Sequence, residues 1–117
     1  MKKTMLSICF AALCAAAPAA YADVARDELI RTEAEVRALN AADATPASPL
    51  NYQEAQLRLS EARVAEEKSN EEDAIWRAAE ASLQASIVQE MIKLRALERT
   101  VSEIETGIAA LRREIQS

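Results

Sequence analysis

The side chains that could do chemistry are few, and their surroundings narrow them further. Acids crowd one short stretch: Glu66, Glu67, Glu71, Glu72 and Asp73. Such a group attracts divalent cations, but a calcium loop alternates its oxygen ligands and turns at a glycine, and this stretch does neither. It reads instead as a solvated turn leading into a helix, whose first turn favours negative charge. Ser60, Ser82 and Ser86 stand in Ala-rich sequence and read as small packing or surface residues rather than nucleophiles. There is no His, and the only cysteines, Cys9 and Cys14, lie in the N-terminal apolar stretch, so zinc sites and nucleophile-base pairs lack their usual parts. A single glycine, Gly107, rules out a Gly-rich phosphate loop. Trp76 and Tyr52 could form a ligand platform, but aromatic residues at the end of a helical bundle more commonly plug its core, and that is the expectation here. No catalytic, cofactor-binding or metal-ligating residue is assigned, and an enzyme is not expected.

The elements that would position these residues begin with an export signal. Lys2 and Lys3 precede an apolar run from Met5 to about Ala17, followed by small residues ending in Ala20-Tyr21-Ala22. A membrane span wants about 20 apolar residues, more than this run supplies. Cleavage is therefore expected after Ala22, with Asp23 as the mature N-terminus and the periplasm of a Gram-negative envelope as the destination. Ile8 precedes Cys9 and Leu13 precedes Cys14, where a lipoprotein signal needs a small residue, so lipidation is not expected. Both cysteines leave with the signal, and no disulfide is expected.

Of the 14 basic residues, Lys2 and Lys3 fall in the signal, leaving 12 against 19 acids and a net charge of −7 on the mature chain. That balance argues against nucleic acid or anionic lipid as the principal partner, since both need a positive face. Membrane association is expected only if the signal is retained. The remaining chain makes at most one small domain, whose core is marginal without tight helix packing or association.

Ala, Glu, Arg, Leu and Gln dominate from residue 23 onward, an all-helical composition. Apolar positions Ala25, Leu29, Val36 and Leu39 predict a first helix over about 23–43. Pro46 and Pro49 interrupt it, and a second helix starts near Pro49 with Ser48 as cap, or near Asn51 with Glu54 three residues on. A tight turn is expected at Lys68–Asn70, with Ser69 and Glu72 in capping-box spacing; one unbroken helix from 51 to 116 is the alternative. A long helix then runs from Glu71 to about Gln116 and overshoots the second by about 40 Å at 1.5 Å per residue.

That long helix carries two apolar rows on nearly opposite sides. Ala74, Ala78, Ala81 and Ala85 form a stripe of small residues that matches Ala55, Ala62 and Ala65 on the second helix, so the two are expected to pack as a close hairpin. The other row holds Trp76, Leu83 and Ile87 and continues as Leu94, Leu97, Val101, Ile104, Ile108, Leu111 and Ile115, at heptad a and d positions with a gap at Glu90. β-Branched residues at a with mostly Leu at d lean toward a parallel two-stranded coiled coil, and Lys93 would face Glu98 of another chain. The first helix is expected to cover this row from Trp76 to about Leu94. Two arrangements stay open: an up-down-up bundle leaving 95–115 projecting, or a first helix laid end to end with the second along the long one.

The rhythm Pro49-Leu50-Asn51-Tyr52-Gln53-Glu54-Ala55, Leu59, Ala62, then Ala74, Ala78, Ala81 and Ala85 resembles a bacterial envelope family, domain-of-unknown-function family 4398, over about residues 25–92. The resemblance implies an exported Ala-rich helical domain with a role in the envelope and no catalytic residues; family members often precede an OmpA-like wall-binding module. This chain departs by placing Ser69-Asn70 where the turn commonly holds Gly, and by continuing a helix where that module would follow.

The reading is therefore an all-α fold, an antiparallel helical hairpin or three-helix up-down-up bundle over 23–93, with residues 94–117 continuing the long helix as a coiled-coil-like tail. The expected role is a periplasmic scaffold or adaptor that self-associates or docks an envelope protein through Leu94, Leu97, Val101, Ile104, Ile108, Leu111 and Ile115. A holdase chaperone gripping unfolded clients is the alternative, and a small-ligand binder using Trp76 a third reading.

Overall fold

The computed structural model describes the backbone of residues 2–117 and the side chains from Ala20 onward. The core of the expected signal and both cysteines lie outside the described side chains. Four helices follow one another: α1 (Lys2–Ala38), α2 (Ala41–Ala47), α3 (Pro49–Glu67) and α4 (Glu71–Gln116). The molecule is extended, 102 Å along its longest axis and 14 Å across its shortest. Among the described residues no helix is long and apolar enough to cross a membrane.

α1 runs without a break through the junction after Ala22, so the N-terminus expected at Asp23 falls inside this helix. The first buried residue after it is Ala25, and among the described residues every buried residue of α1 lies beyond position 22.

The chain runs up through α1, down through α3 and up through α4. Thr32 on α1 donates from Oγ1 to the Ala78 carbonyl of α4 at 3.3 Å. Arg63 of α3 reaches Glu33 at 2.6 Å, and Arg26 reaches Glu66 at 3.7 Å, which sets α1 and α3 antiparallel. Of the two arrangements open to the sequence, this is the up-down-up bundle. The core is built from small residues: Ala55, Leu59 and Ala62 of α3 meet Ala78, Ala81 and Ala85 of α4, with Leu29 and Val36 of α1 closing the group. A second cluster, Ala25, Ala65 and Ala74, plugs the end beside the α3–α4 turn. With methyls at the contact the helix axes approach closely, and the close-packed interior leaves little room for larger side chains.

Three boundaries differ from the sequence reading. The first helix ends at Ala38 rather than Asp43, because Asn40 adopts an extended backbone and its side chain accepts from the Ala42 N–H, starting a separate short helix. Pro46 sits inside that seven-residue α2 instead of ending it. The α4 cap is Asn70, whose Oδ1 accepts from the Asp73 N–H at 3.4 Å, not Ser69. Ser69 belongs to the end of α3: its φ is 58°, the Asn70 N–H reaches the Ala65 carbonyl and the Ser69 N–H reaches that of Glu66, both at 2.9 Å. This is the paired-bond helix stop that usually places glycine in the left-handed position, here filled by serine. Pro49 opens α3 as its first residue; the Ser48 hydroxyl donates to Asn51 Oδ1 at 2.5 Å and leaves the backbone uncapped.

Candidate docking face

α4 is a continuous helix because its sequence contains no proline, one glycine and many strong helix formers. Glu71, Glu72 and Asp73 occupy its first turn and Arg113 its last, both favourable to the helix dipole. Assigning a and d to the large-residue row puts Ala74, Ala81 and Val88 at b and Ala78 and Ala85 at f, about 150° around the helix at 100° per residue. All five of these small or medium residues are buried. Bundle and row thus occupy opposite sides of the same helix.

The row itself is exposed throughout. Trp76 is 65% accessible and Leu83 62%. The expectation that α1 covers the row from Trp76 to Leu94, and that Trp76 plugs the core, is corrected: α1 packs on the alanine side beside α3. The reason is the buried face of α1 itself, which includes a hydroxyl that needs an acceptor. Leu29, Thr32 and Val36 repeat on one face of α1 and fit the shallow groove between two Ala-lined helices, where Thr32 finds the Ala78 carbonyl.

Farther along, Leu94, Leu97, Val101, Ile104, Ile108, Leu111 and Ile115 are all exposed. α2 is the last element to touch α4, with Arg95 donating to the Pro46 carbonyl at 2.5 Å. From Ala96 to the end every residue of α4 is exposed. The sequence-derived seam residues therefore lie together on one side of one helix; Leu94 shares a groove with Ala47 of α2, and from Leu97 onward no segment of the described chain packs on them.

Charge frames the upper part of the row. Arg58 of α3 pairs with Glu61 at 2.9 Å, Glu54 at 3.3 Å and Glu80 at 3.5 Å, while Arg77 reaches Glu61, Glu80 and Asp73. The hydrogen bond from Arg58 to Glu61, with lesser charge attraction from Glu54 and Glu80, holds that guanidinium above its ordinary pKa. Each pair is partly exposed and contributes little alone; together they offset the charge of Glu80, which falls at an a position of the row. Lys93 does the same for Glu90, at 2.8 Å.

One feature of the face was not anticipated. Leu50, Leu57 and Val64 are exposed on α3 at seven-residue spacing, a periodic signal present in the sequence but eclipsed there by the alanine row. Val64 lines a groove with Asp73 and Arg77, beside Trp76 in the chain. As for the earlier acidic cluster, among the described residues no group of three carboxylates gathers where it could hold one metal ion. Tyr52 is half-buried on α3, and Ser82 donates to Glu35 of α1.

Comparison of the chain with protein-family models, with curated proteins and with solved structures gives no match.

Proposed function

We propose that the protein is a non-enzymatic scaffold or adaptor of the cell envelope, exported to the periplasm, which associates with a second copy of itself through the α4 row. Membership of domain-of-unknown-function family 4398 belongs to this proposal, on the rhythm of Pro49, Ala55, Leu59 and Ala62. The observation that carries it is the continuous exposure of Leu94, Leu97, Val101, Ile104, Ile108, Leu111 and Ile115 on a helix that its own bundle leaves bare. Large apolar surface of this extent is unusual on a monomer and marks a contact site. Burial at about 25 cal/mol per Å² supplies the driving force, reduced by the cost of association.

Sedimentation of the full chain tests the proposal. The expected result is a concentration-dependent dimer that Ile104→Asp converts to a monomer with unchanged helicity in its bundle. A concentration-independent monomer for the unsubstituted chain would remove the basis of the proposal.

A further inference from the structure

The self-association reading leaves open how two copies are arranged, and the geometry of α4 bears on this. Resting on that reading, we propose that the second copy lies parallel and in register along the whole exposed row of α4, from Trp76 to Ile115, with Trp76 meeting Trp76 at one end.

Four observations carry this arrangement. First, Trp76, Leu83 and Ile87 occupy the same heptad positions as the tail residues and are exposed like them, so the row is one surface about 58 Å long at 1.5 Å per residue. Second, α1 and α3 pack on the opposite side of α4, against Ala74, Ala78, Ala81 and Ala85. A copy approaching the row meets the bundle only at its edge, where Arg58 of α3 reaches Glu80 and Ala47 of α2 lines a groove with Met91 and Leu94. Third, the tail alone is a lean interface. Full burial of a large aliphatic side chain removes on the order of 60–120 Å² of apolar surface from water. Two copies of the seven-residue tail row thus remove on the order of 800–1,700 Å², around the lower edge of stable interfaces. Adding Trp76, Leu83, Ile87 and Met91 brings the area within the usual range. Fourth, three of the four tail a positions are β-branched (Val101, Ile108 and Ile115, against Leu94) and two of the three d positions are Leu (Leu97 and Leu111, against Ile104), the pattern that favours two strands in a parallel coil, and Lys93 at g then faces Glu98 of the second copy at e.

Glu80 and Glu90 interrupt the row at an a and a d position. In register, each meets its own counterpart, and each already carries a cation within its chain: Arg58 and Arg77 for Glu80, Lys93 for Glu90. The joint is consequently weaker at these two levels than in the tail.

Site-specific crosslinking of the full chain, with Cys9 and Cys14 replaced by Ser, decides the arrangement. Leu94→Cys and Leu111→Cys are each oxidised mildly, alone and mixed, and Trp76 emission is compared between the unsubstituted chain and Ile104→Asp. The expected result is a disulfide dimer from each variant alone, and a blue-shifted, quencher-protected Trp76 in the dimer but not in Ile104→Asp. Crosslinks formed only between Leu94→Cys and Leu111→Cys chains would reverse the orientation and overturn the inference. A dimer whose Trp76 stays as accessible as in Ile104→Asp would confine the joint to the tail and overturn its extension. Both failures leave self-association standing, whereas a monomeric mass in sedimentation overturns it as well.

Discussion

The bundle and the tail share one helix and solve opposite problems. Residues 74–88 of α4 bury methyl groups against two neighbouring helices, while residues 94–115 display Leu, Ile and Val to solvent. Small residues suit the first because backbones can approach closely, and the contact is completed within the chain. Large branched residues suit the second because each adds apolar area to a contact that must offset the entropy of bringing two molecules together. The size of the side chain thus separates what folds the protein from what, on the proposal above, joins two copies.

The sharpest way to break this division is to damage each region alone. Ile104→Asp places a charge in the middle of the tail row and is expected to weaken association by at least about a hundredfold, or ~2.7 kcal/mol, with the bundle melting unchanged by circular dichroism when both chains are compared at concentrations where they are monomeric. Ala78→Leu attacks the other side. Its site is fully buried against α1 and α3, and overpacking there is expected to cost about 1–3 kcal/mol of bundle stability. Chemical denaturation should show that loss while tail association persists. An effect of either substitution on both properties would mean that the two regions are one cooperative unit.

Smaller effects sharpen the comparison. Glu90→Leu fills the gap in the row and is expected to tighten association roughly tenfold, read by analytical ultracentrifugation. Ser69→Gly relieves a side chain held at positive φ and should stabilise the bundle by about 1 kcal/mol without altering association. Gly107→Ala meets nothing within 4 Å and should stiffen the tail helix by up to about 1 kcal/mol, measured as a gain in helicity on the Ile104→Asp monomer.

The all-helical class, the α3–α4 turn and both ends of α4 were legible because they rest on local signals: composition, Pro49, and the acids and amides around residue 70. The alanine contact was legible too, since matching small residues can only be explained by a close neighbour. What the sequence obscured was where α1 goes. Its apolar residues Ala25, Leu29 and Val36 fit either side of α4 by size, and by periodicity alone the large apolar row is the side that lacks a cover. Thr32 decides the matter, because a buried hydroxyl needs an acceptor and finds it at the Ala78 carbonyl on the alanine side. Periodicity carries no information about such a pairing. The break at Asn40 was hidden for a similar reason: the prolines six and nine residues on are stronger breakers, yet the asparagine cap acts first.

Both rows of α4 repeat every seven residues, Ala74, Ala81 and Val88 on one side and Leu94, Val101, Ile108 and Ile115 on the other. A seven-residue repeat asks a helix to wind gently in the left-handed sense. Glu90 interrupts the chemistry of the row without inserting or deleting a step, so the phase passes unbroken from bundle to tail. In the proposed pair, one sense of winding would therefore serve both contacts, the one within the bundle and the one between copies.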